Sequence, residues 1–137
     1  MASSTNKALV ASLAQVPLFS ECTNKGLRTL ASAGKLLDRK KGTEIVREGR
    51  GGVAFFMIMS GSVDIIRDDR TVARLETDDF FGELALLSDH ARNASAVAAT
   101  DVELFAISKM AFKSALLANP TVSYNIMRAM AARQATG

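Results

Sequence analysis

The hydrophobic positions of the chain follow two different periods, helical at both ends and strand-like in between. In the N-terminal part, apolar residues recur at helical spacing and predict two short helices. The first covers Ala8–Ala14 and ends before Pro17, because a proline disfavours helical backbone in the residue that precedes it. The second covers Asn24–Ala33, with Thr23 as its N-cap and Gly34 as its stop.

After residue 34, short β-forming segments alternate with turn residues such as Gly, Asp and Ser. Closely spaced segments of this kind are typical of a compact antiparallel sandwich or roll. The predicted strands are Leu36–Lys40, Thr43–Val46, Val53–Ser60, Ser62–Arg67, Thr71–Glu76, Ala94–Ala99 and Val102–Ile107.

One segment interrupts the strand pattern. Phe80–Ser88 contains good helix formers directly after Gly82, which predicts a short helix inserted between strands. Such an interruption costs sheet continuity and therefore indicates a functional insert.

The C-terminal part returns to helical spacing. Ser108 can cap a helix over Lys109–Ala118, and Asn119 followed by a proline predicts the start of a second one. That second helix runs to about Arg133. Its apolar stripe predicts either core packing or a dimer seam, and it consists of Val122, Ile126 and Met130.

Composition restricts the possible functions. The 137 residues are 48% hydrophobic and 23% charged, which is ordinary for a globular domain with a core of its own. No apolar run is long enough to cross a membrane and no secretory signal is visible, so we expect a cytoplasmic protein without membrane insertion. A single cysteine, Cys22, and a single histidine, His90, exclude an internal disulfide and a multi-cysteine or multi-histidine metal site.

The charge distribution argues against direct nucleic-acid binding. The net charge is +3, and the densest basic cluster has only three members, Arg39, Lys40 and Lys41. A basic stripe with interleaved aromatic residues, which single-stranded nucleic acids favour, is lacking in this sequence.

The segment from Gly82 to Ser95 carries the most specific chemistry. Gly82 permits close backbone approach, and the predicted helix that follows would present unpaired N–H groups to an anion. Arg92 could add a guanidinium to the same anion, and Ser95 a hydroxyl donor. Glu83 would repel phosphate but can accept hydrogen bonds from sugar hydroxyls. This combination suits a ligand with one phosphate and a free sugar hydroxyl.

This segment closely resembles the phosphate-binding cassette of cyclic nucleotide-binding domains. The stretch Phe81–Leu87 matches the first half of that pattern throughout, and Arg92, Ala94 and Ser95 match the second half. Nearly the whole chain shares the resemblance, including Val16–Phe19 and the hairpin that contains Ser60, Gly61 and Ser62. We refer to residues 81–95 as the cassette.

The resemblance implies a fold of the α+β class that is mainly β. It is an eight-stranded antiparallel β-roll of jelly-roll type with N-terminal helices, a short phosphate-binding helix and two C-terminal helices. We therefore expect one cyclic nucleotide-binding domain over residues 1–137, with helices in 1–34, the roll in 35–107 and helices again in 108–137.

The resemblance also implies roles for single residues. Glu83 corresponds to the carboxylate that holds the ribose 2′-hydroxyl, and Arg92 to the arginine that pairs with the cyclic phosphate. Backbone groups of the short helix and a polar contact from the next strand complete the site. The implied ligand-binding residues are Phe81, Gly82, Glu83, Leu84, Ala85, Arg92, Asn93, Ala94 and Ser95.

Two positions depart from the family pattern. Ala91 stands where a proline is common, and Asn93 stands where Ala, Ser or Thr is usual. A threonine there often accompanies preference for cyclic GMP, and asparagine could donate a hydrogen bond to either base. Both cAMP and cGMP therefore stay open, with a mild lean to cAMP. Val63 and Leu75 are candidate walls of a base pocket on strand alternation alone.

The expected function is a ligand sensor rather than an enzyme, with no cofactor beyond the cyclic nucleotide. The last helix would act as a lid through Met127, Arg128 or Ala131, and movement of the C-terminal helices would relay binding. Expected partners are an effector domain outside this chain and a second copy that pairs through the C-terminal helix. The alternative is a degenerate roll without a ligand that serves structure or protein interaction. A cupin-like enzyme is disfavoured because such enzymes need several metal-binding histidines.

Overall fold

The computed structural model describes residues 2–47, 54–87 and 94–136. The chain divides into two compact units. A helical unit comprises Met1–Gly34 and Met110–Gly137, and a β unit comprises Lys35–Lys109. The single domain expected over residues 1–137 stays a prediction.

The helical unit contains the helices that apolar spacing predicted at both ends. They are α1 (Ala2–Leu13), α2 (Asn24–Ala33), α3 (Lys109–Ala118) and α4 (Pro120–Thr136). A 3-10 turn (Pro17–Phe19), which the spacing did not predict, lies between α1 and α2 in the chain. The inward positions of these elements are buried, and the rings of Phe19 and Phe112 lie 6.2 Å apart between centroids. The first helix starts earlier than predicted, at Ala2 instead of Ala8.

Side-chain caps define two helix ends. The Thr23 hydroxyl accepts a hydrogen bond of 3.1 Å from the Gly26 amide, which confirms its N-cap role. The Asn119 side chain instead donates to the Ala115 carbonyl at 2.8 Å, so it satisfies the end of α3. Ser108, predicted as the cap of α3, is the last residue of a strand, where it pairs with Ala54, and it directly precedes Lys109. Its role as a cap stays a prediction.

The β unit consists, within the described residues, of eight strands in two four-stranded sheets, and every pair is antiparallel. The strands are β1 (Lys35–Arg39), β2 (Glu44–Val46), β3 (Ala54–Ser60), β4 (Val63–Arg67), β5 (Arg70–Leu75), β6 (Phe80–Phe81), β7 (Ser95–Ala98) and β8 (Val102–Ser108). The sheet orders are β1-β8-β3-β6 and β2-β7-β4-β5. This confirms the predicted eight-stranded roll.

The core of the β unit is built by alternate residues from both sheets, as expected when each sheet buries one face. Partly buried apolar residues, Ile65 among them, surround this cluster. The buried members are Ala54, Phe56, Ile58, Val63, Ala96, Ala98, Val102 and Leu104.

A two-residue turn joins β4 to β5. Arg67 and Arg70 are register partners, and Asp68 and Asp69 between them have φ of 53° and 63°. Positive φ at both central positions defines a type I′ turn, whose twist matches that of the flanking strands. The turn thus places Arg67 at the end of β4 and Arg70 directly across from it.

The predicted helix over Phe80–Ser88 is wrong at its start. Phe80 and Phe81 form strand β6, which pairs with Met57 and Phe56 of β3. Aromatic residues favour a pleated, half-buried surface, and β3 offers one. The helical part is a single 3-10 turn over Glu83–Leu86.

Candidate functional site

A cavity of about 130 Å³ opens at one end of the β unit, where four strands terminate or begin. Most of its lining residues are apolar, and the two polar ones are a serine and an arginine. The lining residues are Val46, Ile65, Arg67, Phe81, Gly82, Ala94, Ser95 and Ala96.

Gly82 forms the wall of the cavity where β6 gives way to the 3-10 turn. Its φ of +85° is a conformation that glycine adopts without steric cost. Because this residue has no side chain, its backbone is directly accessible from the cavity. A ligand can therefore approach the peptide groups at the start of the turn.

Phe81 is held in place by β3. It pairs with Phe56 in register, and the two rings stack with centroids 5.1 Å apart. Phe80 meets Phe55 with centroids 6.0 Å apart. Both phenylalanines of β6 are half-buried, which agrees with the core role predicted for them.

Pairing of β7 with β4 brings the second half of the cassette to the same cavity. Ser95 is the register partner of Ile66, and Ala96 that of Ile65. Ser95 is half-buried and lines the cavity at the start of β7. A hydroxyl there can donate a hydrogen bond to an anion.

The structure thus brings together four of the residues predicted for the site, which are Phe81, Gly82, Ala94 and Ser95. Glu83, half-buried, begins the 3-10 turn one residue beyond Gly82 and is not among the described walls. Leu84 and Ala85 follow it in that turn. Arg92 and Asn93 lie outside the described residues, as do His90 and Ala91.

Sequence reasoning missed four wall residues, namely Val46, Ile65, Arg67 and Ala96. It favoured Val63 and Leu75 instead, but Val63 is fully buried in the core and Leu75 packs against it. The available signal was strand alternation, because Ile65 and Arg67 lie on the same face of β4 as Val63. Alternation identifies a face but not the point along it at which the cavity opens.

On the opposite face of β4, Asp64 forms an ion pair with Arg74 of β5. The two residues are register partners, and the guanidinium donates two hydrogen bonds of 2.8 and 3.2 Å to the carboxylate. Hydrogen bonding from Arg74 holds the pKa of Asp64 below its ordinary value, although partial desolvation acts the other way. This ion pair links β4, the strand that carries Ile65 and Arg67, to β5.

The predicted lid residues lie on α4 and are exposed. Met127 is 59% exposed, and Arg128 forms an ion pair of 3.6 Å with Glu21 of the same unit. Ala131 is exposed as well. In the apolar stripe, Val122 and Ile126 are buried as core residues, whereas Met130 is 44% exposed.

Three further observations on the described residues concern metal binding, membrane spans and the single cysteine. They contain no group of three or more His, Cys, Asp or Glu side chains placed to hold a metal ion. None of their helices is long and apolar enough to span a membrane. Burial raises the pKa of the Cys22 thiol, which disfavours the reactive thiolate.

Comparison with known proteins places these features in context. The family model of the cyclic nucleotide-binding domain matches residues 37–119. The cAMP-dependent protein kinase regulatory subunit of Colletotrichum orbiculare is 38% identical over 106 residues, which is 76% of this chain and 27% of that protein. The matches cover between 17% and 28% of the length of these curated relatives.

Solved structures resemble the fold closely. The N-terminal domain of a transcriptional regulator from Streptomyces coelicolor A3(2) has a TM-score of 0.84 and 25% identity, and the match covers 91% of this chain and 93% of that one. The regulatory domain of Toxoplasma gondii PKA, crystallised with cAMP, has a TM-score of 0.75 and 27% identity. That match covers 81% of this chain and 44% of that one.

Proposed function

The chain belongs to the cyclic nucleotide-binding domain family, and on that premise we propose that it is a ligand-sensing module for a cyclic nucleoside monophosphate. The family is one of regulatory binding domains, and we assign the chain no catalytic step. The observation that supports the proposal most is the cavity in which both halves of the cassette meet, at Gly82 on one wall and Ser95 on another.

The size and lining of the cavity suit the phosphate end of the ligand. Its volume of about 130 Å³ is below the roughly 300–1,000 Å³ of pockets that enclose a whole small molecule. The phosphate would therefore sit against Gly82 and Ser95, with the purine extending outwards. The four-residue 3-10 turn is too short for an appreciable helix dipole, so individual N–H groups of Gly82, Leu84 and Ala85 would make the backbone contacts.

The remaining roles follow from the family pattern. Arg92 would pair with the cyclic phosphate through two parallel hydrogen bonds, which an arginine forms better than a lysine. Glu83, next to Gly82 in the chain, would accept a hydrogen bond from the ribose 2′-hydroxyl. Asn93 would donate to the base.

We propose cAMP rather than cGMP as the preferred ligand. Asn93 replaces the residue that often accompanies cGMP preference. The curated relatives include regulatory subunits of cAMP-dependent protein kinases, and one similar regulatory domain was crystallised with cAMP. No other cofactor is needed for this function.

The proposed output is a shift between two arrangements of the C-terminal helices. Met127, Arg128 and Ala131 present exposed side chains on α4, and we propose that this surface closes over the base. Ligand binding would then favour the closed arrangement by the difference in its affinity for the two states. The ion pair between Arg128 and Glu21 is a contact that such a movement would alter.

The partners proposed for this output are an effector that responds to the helices and a second copy that pairs through α4. Both are proposals, as is a cytoplasmic location. Neither nucleic acid nor membrane is part of the proposed function.

Calorimetric titration with cAMP, cGMP and adenosine 5′-monophosphate tests the proposal. We expect saturable binding of the cyclic forms, tighter for cAMP, and weaker binding of the open monophosphate. Absence of any heat with both cyclic nucleotides, in a sample whose thermal unfolding shows it to be folded, would favour the non-binding structural alternative. A thermal-shift series with the same three ligands provides an independent readout, because a ligand that binds only the native state raises Tm.

A further inference from the structure

Arg67 is a charged residue on the interior-facing side of β4. Val63 lies in the core, Ile65 packs against the core, and both Ile65 and Arg67 line the cavity, so these three residues share one face of the strand. An ionised side chain on an inner face is costly unless it keeps water or gains a partner. Arg67 stays exposed because it is the last residue of β4, where the cavity opens.

The register between β4 and β7 fixes where Arg67 lies relative to β7. Ile66 is the partner of Ser95, so Arg67, the next residue along, lies level with the start of β7. Arg67, Ser95 and Gly82 are thus walls of the same cavity of about 130 Å³.

We infer that Arg67 is a second cation for the phosphate of the ligand, additional to the arginine in the cassette. The inference rests on the proposed function, which assigns the phosphate to Gly82 and Ser95. A guanidinium in that cavity forms charge-assisted hydrogen bonds with phosphate oxygens and lowers the free energy of the bound anion. Nothing in the cassette pattern points to this position, since Arg67 belongs to a different part of the chain.

Contact with the base is a different possibility, since arginine also pairs with the acceptor atoms of guanine. The phosphate is favoured because Gly82 and Ser95, to which the proposed function assigns the phosphate, line the same cavity as Arg67. The two possibilities predict different effects of an Arg67 substitution on the binding of cAMP and of cGMP. A phosphate contact affects cAMP and cGMP equally, whereas a base contact affects one of them.

Arg70 provides a matched control. It is the register partner of Arg67 across the turn, it is exposed, and it is not among the described walls of the cavity. Replacing either arginine removes the same charge from the same hairpin. Only Arg67→Gln removes a positive charge from a residue that lines the cavity.

The experiment titrates the full chain and its Arg67→Gln and Arg70→Gln variants with cAMP and with cGMP at low and at high salt. We expect Arg67→Gln to weaken both nucleotides by about tenfold, the scale of one charge-assisted hydrogen bond at a partly exposed site. Its affinity should also depend less on salt, because one screened attraction is gone. Arg70→Gln should stay within about twofold of the parent chain, and Arg67→Lys should fall between the parent and Arg67→Gln.

The possible outcomes are distinguishable. If the parent chain binds but the two glutamine variants behave alike, the inference is overturned while the proposed function stands. A loss confined to one nucleotide also overturns it, since Arg67 would then read the base. If the parent chain binds neither nucleotide, the proposed function fails and the inference fails with it.

Discussion

Phe81 stacks on Phe56, with ring centroids 5.1 Å apart and ring planes inclined by 21°. The two residues are also register partners across β6 and β3. The two-residue strand β6 is therefore anchored by a side-chain contact as well as by backbone pairing. Because Gly82 follows directly, this contact fixes the point at which the chain enters the cavity wall.

A double-mutant cycle should detect this anchor. We expect Phe56→Leu and Phe81→Leu to be coupled by about 0.5–1.5 kcal/mol in the free energy of unfolding, the range for aromatic pairs beyond their buried area. Denaturant unfolding of the two single variants and the double variant measures the coupling. Additive effects, within about 0.3 kcal/mol, would show that the stacking contributes nothing of its own.

Gly61 is predicted to tolerate no side chain. Its φ is +93°, and a Cβ there would lie 2.5 Å from the carbonyl oxygen of Asp101 and 2.7 Å from Val102 Cγ1. Gly42 has a similar φ of +91° but open space around it. Positive φ alone costs about 1–2 kcal/mol with a side chain, so Gly42→Ala should lose about that amount. Gly61→Ala should lose clearly more, because backbone must also move.

Thermal and urea unfolding of the two alanine variants make the comparison. Equal destabilisation by Gly61→Ala and Gly42→Ala would mean that the segment around Asp101 and Val102 can move away from the new Cβ at little cost. That result would contradict the tight packing at the turn that contains Gly61.

The sequence predicted which segments form strands better than it predicted which strands lie side by side in a sheet. Alternation shows which residues share a face, but it does not show that β1 lies beside β8 or that β6 lies beside β3. Phe80 and Phe81 were predicted as helical because good helix formers follow them. Their strand partners in β3 are remote in sequence, and β propensity depends on such partners.

The candidate site was predictable to the extent that it lies in one continuous motif. Phe81, Gly82, Ala94 and Ser95 were predicted because the cassette is local in sequence. Arg67 was not, since only the pairing of Ile66 with Ser95 places it at the cavity.

The type I′ turn of the β4–β5 hairpin holds Asp69 in a backbone conformation that glycine would adopt with less strain. Asp69, at the second central position, has φ of 63°, a conformation that costs a non-glycine residue about 1–2 kcal/mol. Asp69→Gly should therefore raise the free energy of unfolding by about 0.5–1 kcal/mol, since glycine adopts the same conformation but loses more backbone entropy on folding. Asp69→Ala removes the same charge without relieving the strain. If the alanine variant is as stable as the glycine variant, charge rather than conformation is the cause.

The ion pair of Asp64 and Arg74 predicts a pH dependence. Arg74 lowers the pKa of Asp64 in the folded state, so the unfolded chain binds the proton more readily. The pair therefore stabilises the fold fully above the unfolded pKa, which is about 3.9, and this contribution is lost as pH falls through the lower folded pKa. The stability difference between the parent chain and Asp64→Asn should be constant near neutral pH and shrink in acid.

Carboxyl NMR titration checks the cause. Arg74→Gln should raise the pKa of Asp64 towards its ordinary value, whereas Arg70→Gln, on the same strand, should leave it low. An Asp64 that titrates at its ordinary value in the parent chain would mean that the pair does not persist in solution.

Truncation of the two charged residues of the cassette should affect binding unequally. Arg92→Ala should cost about 2–5 kcal/mol of binding free energy, because it leaves a phosphate charge without its partner. Glu83→Ala should cost about 1–3 kcal/mol, the scale of one unmade hydrogen bond. Arg92→Lys keeps the charge but loses the two-pronged geometry, so its loss should lie between those of the parent and Arg92→Ala. Calorimetry with cAMP measures all three, and unchanged affinity in Arg92→Ala would mean that the phosphate is held elsewhere.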